Sequence, residues 1–553
     1  FTGCGTWHVR GQPRLFLFNA TCWYNRVLRM CFLHVYRHFS RSAGRCLTHM
    51  HTSRLLLPLP FTQHRRHLRP TSVKQWWSMN SPVVETSTNA PARIDVDLVV
   101  VGAGPAGSAA AFHAAHAGLD VALVDMADVP GTGALSVENS PTQSTGRDKT
   151  CGDGLTPRAV AALESMGAAE LLDDAPHIHG LKLHGFGGSI TAPWPVGSFP
   201  LRGSAIPRSR LDASLARLAI AAGARFIQAK VSDATCDPTT QQLIEVTGTR
   251  TGAGVQSKSK ASTHLWLRGR FFVLSEGVRS GIARKLGVKW DKGLVHGIAA
   301  RSYVNTPFGD EPWIHSHLEL NDADGTAQPG YGWVFPLGNS GDTGRANLGC
   351  GVLATTKRPA KVNTKKLLRD YAQQVGEDWE IDGEPESITS ALLPMGGAVS
   401  RVAGPNWAAI GDTAALVNPL NGEGIDYALE SAELLVRLLV EEWGRPEKWA
   451  SRIKGNNGAG IEPEWTAELE RQYGQAFGLA RRLAVVLTMP GLMSALGPLG
   501  MRGPLANRTM GVATRLMGNL VSPEDRDFAA RIWRGAGRVV NLAPIDKPFA
   551  ARG

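Results

Sequence analysis

Asp97-Leu98-Val99-Val100-Val101-Gly102-Ala103-Gly104-Pro105-Ala106-Gly107 is the stretch on which the reading of this chain turns. Four apolar residues in a row make a short buried strand, and a G-x-G-x-x-G turn follows at once. Small residues from Ser108 to Ala117 continue as a helix, and Gly118 ends it. Val121-Ala122-Leu123-Val124 is a second strand, closing at Asp125. The pattern predicts a βαβ unit. In such a unit Gly102 makes the tight turn, Gly104 lets the backbone approach a pyrophosphate, and Gly107 permits close packing of the helix. Ala103, Pro105 and Ala106 fill the turn, and the free N–H groups and dipole of the helix start favour an anion. Asp125 is placed to hold a ribose hydroxyl. The unit predicts a dinucleotide without separating a flavin from a nicotinamide nucleotide.

A second turn separates them. About 300 residues downstream, Ala409-Ile410-Gly411-Asp412-Thr413-Ala414-Ala415 follows a buried strand and leads into Asn418-Pro419-Leu420-Asn421-Gly422-Glu423-Gly424-Ile425-Asp426. Asp412 can accept hydrogen bonds from a polyol, and a glycine-rich turn before a helix can aim N–H groups at a reduced flavin's pyrimidine edge. The two turns together resemble those of the para-hydroxybenzoate-hydroxylase-like FAD enzymes. The resemblance implies FAD as cofactor, with Gly411 and Asp412 at the ribityl chain and Gly424-Ile425 at the flavin ring. It also brings in Arg208, whose segment Pro207-Arg208-Ser209-Arg210-Leu211-Asp212 matches a family R-x-x-L-D pattern. That guanidinium could pair a phosphate or cover the flavin edge, or simply pair with Asp212 at a helix start. Val231 falls where the family makes backbone contact with adenine. Glu276, in Ser275-Glu276-Gly277, stands where the family has Asp, and a surface ion pair is an equal account of it.

Three segments narrow the branch. Lys149-Thr150-Cys151-Gly152-Asp153-Gly154 resembles the K-x-C-G segment of geranylgeranyl reductases, which lies beside the flavin. Tyr331-Gly332-Trp333-Val334-Phe335-Pro336 matches their Y-x-W-x-F-P signature of a lipid cavity, although Pro329 stands two residues before the Tyr where the family has three. Leu392-Leu393-Pro394-Met395-Gly396-Gly397 fits the same branch. Residues 97–443 are thus most similar to the actinobacterial menaquinone reductases, which saturate one isoprene unit of a quinone side chain. This implies an FAD-dependent reductase with a polyprenyl lipid substrate, menaquinone first among them. Cys151, Gly152, Asp153 and Gly154 are then expected beside the cofactor, Tyr331 and Trp333 as an aromatic wall, and Cys151 as acid or positioner at the reacting carbon. Reduction of a geranylgeranyl group on a diphosphate, pigment or ether lipid, an FAD-dependent aromatic monooxygenase and a non-catalytic flavin-binding lipid carrier remain the alternatives.

The expected fold class is α/β: a Rossmann-like FAD-binding domain of the GR2 type, an antiparallel-sheet substrate domain and a helical C-terminal region. The expected divisions are a polar segment over 79–96, FAD-binding parts over 97–177, 207–294 and 401–445, substrate parts over 178–206 and 295–400, and helices over 446–553. Within them, 129–146 reads as a surface loop and 238–262 as a hairpin tip. No metal site is expected. No second G-x-G-x-x-G sits in a βαβ unit, so electrons are expected from transient NAD(P)H docking or another reduced carrier.

The formal charge of +11 comes from residues 1–78, which hold twelve Lys/Arg and no Asp or Glu. Without them 47 basic residues face 48 acidic ones, so no nucleic-acid partner is expected from the basicity. We read 1–78 as upstream sequence translated in frame, with the working protein starting at Met79 and the leader disordered. A transit peptide is the rival, and a zinc module lacks paired C-x-x-C spacing. The sparse Cys151, Cys236 and Cys350 suit a reducing cytoplasm. No apolar run approaches a membrane span. Arg481, Arg482, Arg502, Arg508 and Arg515, set among Leu, Met and Val, point either to a basic apolar face on an anionic bilayer or to plain helical packing. A peripheral place on the cytoplasmic face of the cell membrane is the expected location.

Overall fold

The computed structural model describes residues 92–129, 148–251, 264–340, 343–444, 460–503, 506–522, 524–541 and 548–549. The expected leader, the polar segment as far as 91, Arg147 and all but Val129 of the expected 129–146 loop lie outside the described residues.

The first strand runs Ala92–Val101, so it takes the last five residues of the segment expected to be polar. Ile94 and Val96 alternate inward between the charged Arg93 and Asp95, and the added length pairs in register from Ala92↔Leu265. Half-buried alternation made a strand where only the four-residue apolar run had signalled one. Parallel strands Arg225–Cys236, Val121–Asp125, Ala92–Val101, His264–Leu274 and Trp407–Ala409 lie side by side in that order. Helices Pro105–His116, Arg208–Ala221 and Ile425–Trp443 pack over this sheet. The stretch expected as a hairpin tip contains a further strand, Leu243–Arg250, antiparallel to both Arg225–Cys236 and His264–Leu274. Its buried Leu243 and Val246 sit among polar residues that hid the pattern.

The second sheet has seven strands, in the order Asp382–Leu393, His296–Thr306, Thr343–Ala354, Gly330–Ser340, Trp313–His317, Gly180–Gly185 and Gly188–Pro193. One pair, Trp313–His317 with Gly180–Gly185, is parallel; the rest are antiparallel. Helix Thr364–Val375 covers one face through Leu367, Leu368, Tyr371 and Val375, and Asn363 caps it by accepting from the amides of Lys365 and Lys366. Its periodic apolar face had been overlooked inside a stretch read as sheet. The C-terminal region is helical over Glu462–Leu469, Gln475–Leu487, Pro490–Met501, Ala506–Met517 and Phe528–Asn541. Among the described residues no single helix is long and apolar enough to cross a membrane. The stretch Glu462–Leu487 and the helix Pro490–Met501 pass that test together, bent by 105° at their break.

Candidate functional site

The three glycines of the first turn are required for three different reasons. Gly102 has φ +104°, and a methyl group built on it would lie 2.4 Å from the Ser275 carbonyl oxygen. One built on Gly107 would lie 1.7 Å from the Gly102 carbonyl oxygen, so the helix can cross the strand here only without a side chain. Gly104 meets nothing within 4 Å. That open side is the space a pyrophosphate needs, at the start of a helix whose first amides have no intrahelical acceptor. Ser275 fastens the turn from the neighbouring strand, its Oγ donating to the carbonyls of Val101 and Gly102 at 2.8 and 2.9 Å. Asp125 accepts from the amides of Ala103 and Ala127 at 2.8 and 2.9 Å, which holds its carboxylate at the strand end.

The second turn touches the first. Gly411 has φ +56°, and a methyl group on it would lie 3.0 Å from Ala106 Cβ. Asp412 follows, paired with Lys149 Nζ at 3.1 Å, and a methyl group on Gly424 would stand 3.5 Å from Asp412 Oδ1. Gly424 precedes the helix that begins at Ile425, and both line the cavity described below. Lys149 itself is anchored by Arg301, which is fully buried and donates to the Asp148 carboxylate and the Lys149 carbonyl. Neither Lys149 nor Arg301 was singled out from the sequence. The K-x-C-G motif held the first in view, but only the fold puts it on Asp412.

The Cys151-Gly152-Asp153-Gly154 turn is the joint between the two sheets. Asn347 is its keystone. Its Oδ1 accepts from Trp333 Nε1 at 3.0 Å, and its Nδ2 donates to the Cys151 carbonyl and to Asp153 Oδ2, each at 2.9 Å. No sequence signal marked Asn347. The Phe335 ring lies on the same turn: methyl groups on Gly152 and Gly154 would come within 2.6 and 2.9 Å of it. The two motifs read separately in the sequence are therefore one packed unit. Trp333 stacks between Tyr331 and Phe335, with ring centroids 5.9 Å apart in both pairs. Tyr331 donates its hydroxyl to the Asn421 carbonyl at 2.6 Å, which ties this wall to the second glycine turn.

Three residues expected at the cofactor also make bonds within the protein, and two of them, Asp153 and Arg208, line the cavity described below. Asp153, with φ +63°, is fully buried and turned inward. It accepts from Tyr303 Oη at 2.8 Å, Asn347 Nδ2 at 2.9 Å and the Arg208 amide at 3.1 Å, and burial pushes its carboxyl up to about 6. Its bonds staple the joint together. Arg208 is buried in a two-pronged pair with Asp212, both contacts 2.7 Å, the helix-start pairing named among the alternatives above. Cys151 lines the same cavity as Arg208. Val231 lies inside the Arg225–Cys236 strand, opposite Gly248, where the antiparallel ribbon begins to bulge. Glu276 is not held in a surface ion pair: it accepts from the amides of Ile282 and Ala283 and caps the short helix Gly281–Lys285.

A cavity of about 750 Å³ joins these parts. It begins at Pro105, Lys149 and Asp412, passes Cys151, Tyr331 and Trp333, and continues to Leu487, Met493, Met510 and Met517 of the C-terminal helices. One end is polar and meets both glycine turns; the other is aliphatic. The space at Gly104, the paired Asp412 and the Gly424 turn fit FAD, and the apolar length beyond fits a hydrocarbon chain. Arg481 and Arg515 are not part of an outer basic face. Arg481 is buried against Gly396, and Arg515 pairs with Asp525 and Asp527 at 3.2 and 2.8 Å. Arg482, Arg502 and Arg508 are exposed.

Residues 97–178 match the FAD dependent oxidoreductase family. The chain is 42% identical over 457 residues to the menaquinone reductase of Mycobacterium tuberculosis, covering 82% of this chain and 98% of that protein. It is 44% identical over 455 residues to the menaquinone reductase of Mycolicibacterium smegmatis, covering 82% and 99%. Among solved structures, a geranylgeranyl bacteriochlorophyll reductase-like protein of Thermoplasma acidophilum superposes with a TM-score of 0.59 at 18% identity, over 80% of this chain and all of that one, a likeness of fold alone.

Proposed function

The chain belongs to the menaquinone reductase family of FAD-dependent oxidoreductases, and from that premise we propose that it saturates an isoprene double bond in the polyprenyl side chain of menaquinone. The observation that carries the reading is the single cavity running from two touching glycine turns to an aliphatic end. When bound and reduced, FAD supplies the hydride that an isolated trisubstituted alkene needs. The chain's own residues do the rest. Gly102, Ala103, Gly104, Pro105, Ala106, Gly107 and Asp125 would hold the adenosine and pyrophosphate half, and Gly411, Asp412, Gly424 and Ile425 the ribityl and ring half. Tyr331, Trp333 and Phe335 exclude water, and their ring faces tolerate positive charge developing on a tertiary carbon. Cys151, in the turn that lines the cavity, stands beside the alkene as a positioner.

The electron donor we propose is NAD(P)H in transient contact, or another reduced carrier of two electrons. We also propose that the protein works from the cytoplasmic face of the cell membrane. Leu492, Leu496 and Leu499 are exposed on the helix whose Pro490 and Met493 line the cavity, and exposed Arg482 and Arg508 flank them. This arrangement suits a helix pair resting on an anionic bilayer and passing a lipid inward.

The test is anaerobic turnover of a short-chain menaquinone by the FAD-loaded protein. Product heavier by two mass units supports the reading. Product heavier by sixteen, formed only with oxygen, would mean a monooxygenase, and bound FAD that no donor reduces would mean a carrier.

A further inference from the structure

On the reading that the cavity holds a polyprenyl chain, we propose that Glu423 is the acid that protonates the alkene. Glu423 lines the cavity between the Tyr331 wall and the Asp412–Gly424 turn. Its backbone is pinned on both sides: the Glu423 amide donates to Asn421 Oδ1 at 3.0 Å, and its carbonyl accepts from the Asn418 amide at 2.7 Å. The side chain is oriented by Thr156, whose hydroxyl and amide both donate to Oε1, at 2.8 and 3.4 Å. Two donors on Oε1 make it the carbonyl-like oxygen and leave Oε2 to carry the proton.

The phenol on this wall is a poorer acid. Tyr331 already commits its proton to the Asn421 carbonyl, and burial together with Glu423 holds its phenol far above the ordinary range. Cys151 also lines the cavity, and a C151S variant run beside E423Q separates the two groups, because only loss of the acid removes the pH limb. Around Glu423 the charged groups are Asp426 and Glu430 on the helix Ile425–Trp443 that follows its turn and Arg158 on the helix Pro157–Ser165. Arg158 is already paired with Glu430 at 2.7 Å and donates to the Asn519 carbonyl. Burial first, then the Glu430 carboxylate, push the Glu423 carboxyl up to about 7 against the Thr156 bonds and Arg158. The group is therefore substantially protonated near neutrality, as a general acid must be.

In the step, the Glu423 O–H bond breaks as a C–H bond forms at the less substituted alkene carbon. The second C–H bond, at the tertiary carbon, takes its electron pair from reduced FAD. A carboxylate remains on Glu423 and is reprotonated from solvent, and a donor of the NAD(P)H class restores the two electrons.

The experiment uses the FAD-loaded protein and its E423Q, E423D and T156V variants. FAD content and Tm are read first. Single-turnover formation of the saturated side chain of a short-chain menaquinone, read after the ring is reoxidised, is then followed without oxygen across pH, with infrared titration of the protonated carboxyl band. E423Q should keep its FAD and lose about 100-fold or more in single-turnover rate, and E423D should recover part of it. The wild-type rate should fall as pH rises through about 7, because the acid must be protonated. That limb should vanish in E423Q and move to higher pH in T156V, which removes a bond favouring the carboxylate. An infrared band that titrates near that pH and is missing from E423Q supports the assignment. E423Q turning over as fast as wild type, with the limb intact, overturns the acid role alone. A wild type that reduces no prenyl lipid overturns the functional reading, and the acid role with it.

Discussion

Asn347 carries more of the site than any residue of the sequence motifs. One amide satisfies the Trp333 indole, the Cys151 carbonyl and the Asp153 carboxylate. Asn347→Leu keeps the volume but strands the Trp333 indole and the Cys151 carbonyl and removes one of three donors from Asp153. It should cost about 2–4 kcal/mol in denaturant unfolding and loosen FAD, read by fluorescence titration. Asp153 gives a second prediction, with a definite sign. Its folded carboxyl is raised from 3.8 to about 6, so the stability it contributes is full below pH 3.8 and is lost as pH rises through about 6. The difference corresponds to about 3 kcal/mol at most. Asp153→Asn should remove that part of the slope, so that between pH 4 and 8 wild type loses stability relative to the variant. A constant difference between the two unfolding curves would reject the account.

At the scale of elements, the first turn separates two kinds of glycine. Gly104 has φ −75° and open space beyond it, so Gly104→Ala should fold with an unchanged Tm in the absence of cofactor. Its FAD affinity should nevertheless drop roughly 100-fold, because the methyl group takes the place of the pyrophosphate. Gly107→Ala meets a carbonyl at 1.7 Å and should fail to fold. The strand Gly330–Ser340 works by the same logic on two faces. Tyr331, Trp333 and Phe335 form a wall on the cavity side, while a methyl group on Gly332 would reach within 2.4 Å of the Tyr371 ring behind it. Alternation in the motif was legible as period two, but which face was wet and which was packed depended on a helix, Thr364–Val375, that had not been recognised.

For the whole molecule, one set of helices closes the cavity within and exposes leucines without. Leu496→Asp with Leu499→Asp should cut binding to anionic vesicles at least about tenfold in a sedimentation assay, and leave turnover of a detergent-dispersed short-chain substrate unchanged. Unchanged vesicle binding would remove this surface from the account. The chain by itself determined the cofactor class, the first βαβ unit and the family, because glycine spacing and apolar period are local properties that any fold must respect. Only the tertiary structure decided that Asp153 meets Tyr303 and Asn347, that Lys149 meets Asp412, and that Asn347, Arg301 and Glu423 belong to the site. Burial and partnership of a polar group depend on residues hundreds of positions away. A carboxylate or an amide therefore has no readable role until the fold supplies its neighbours.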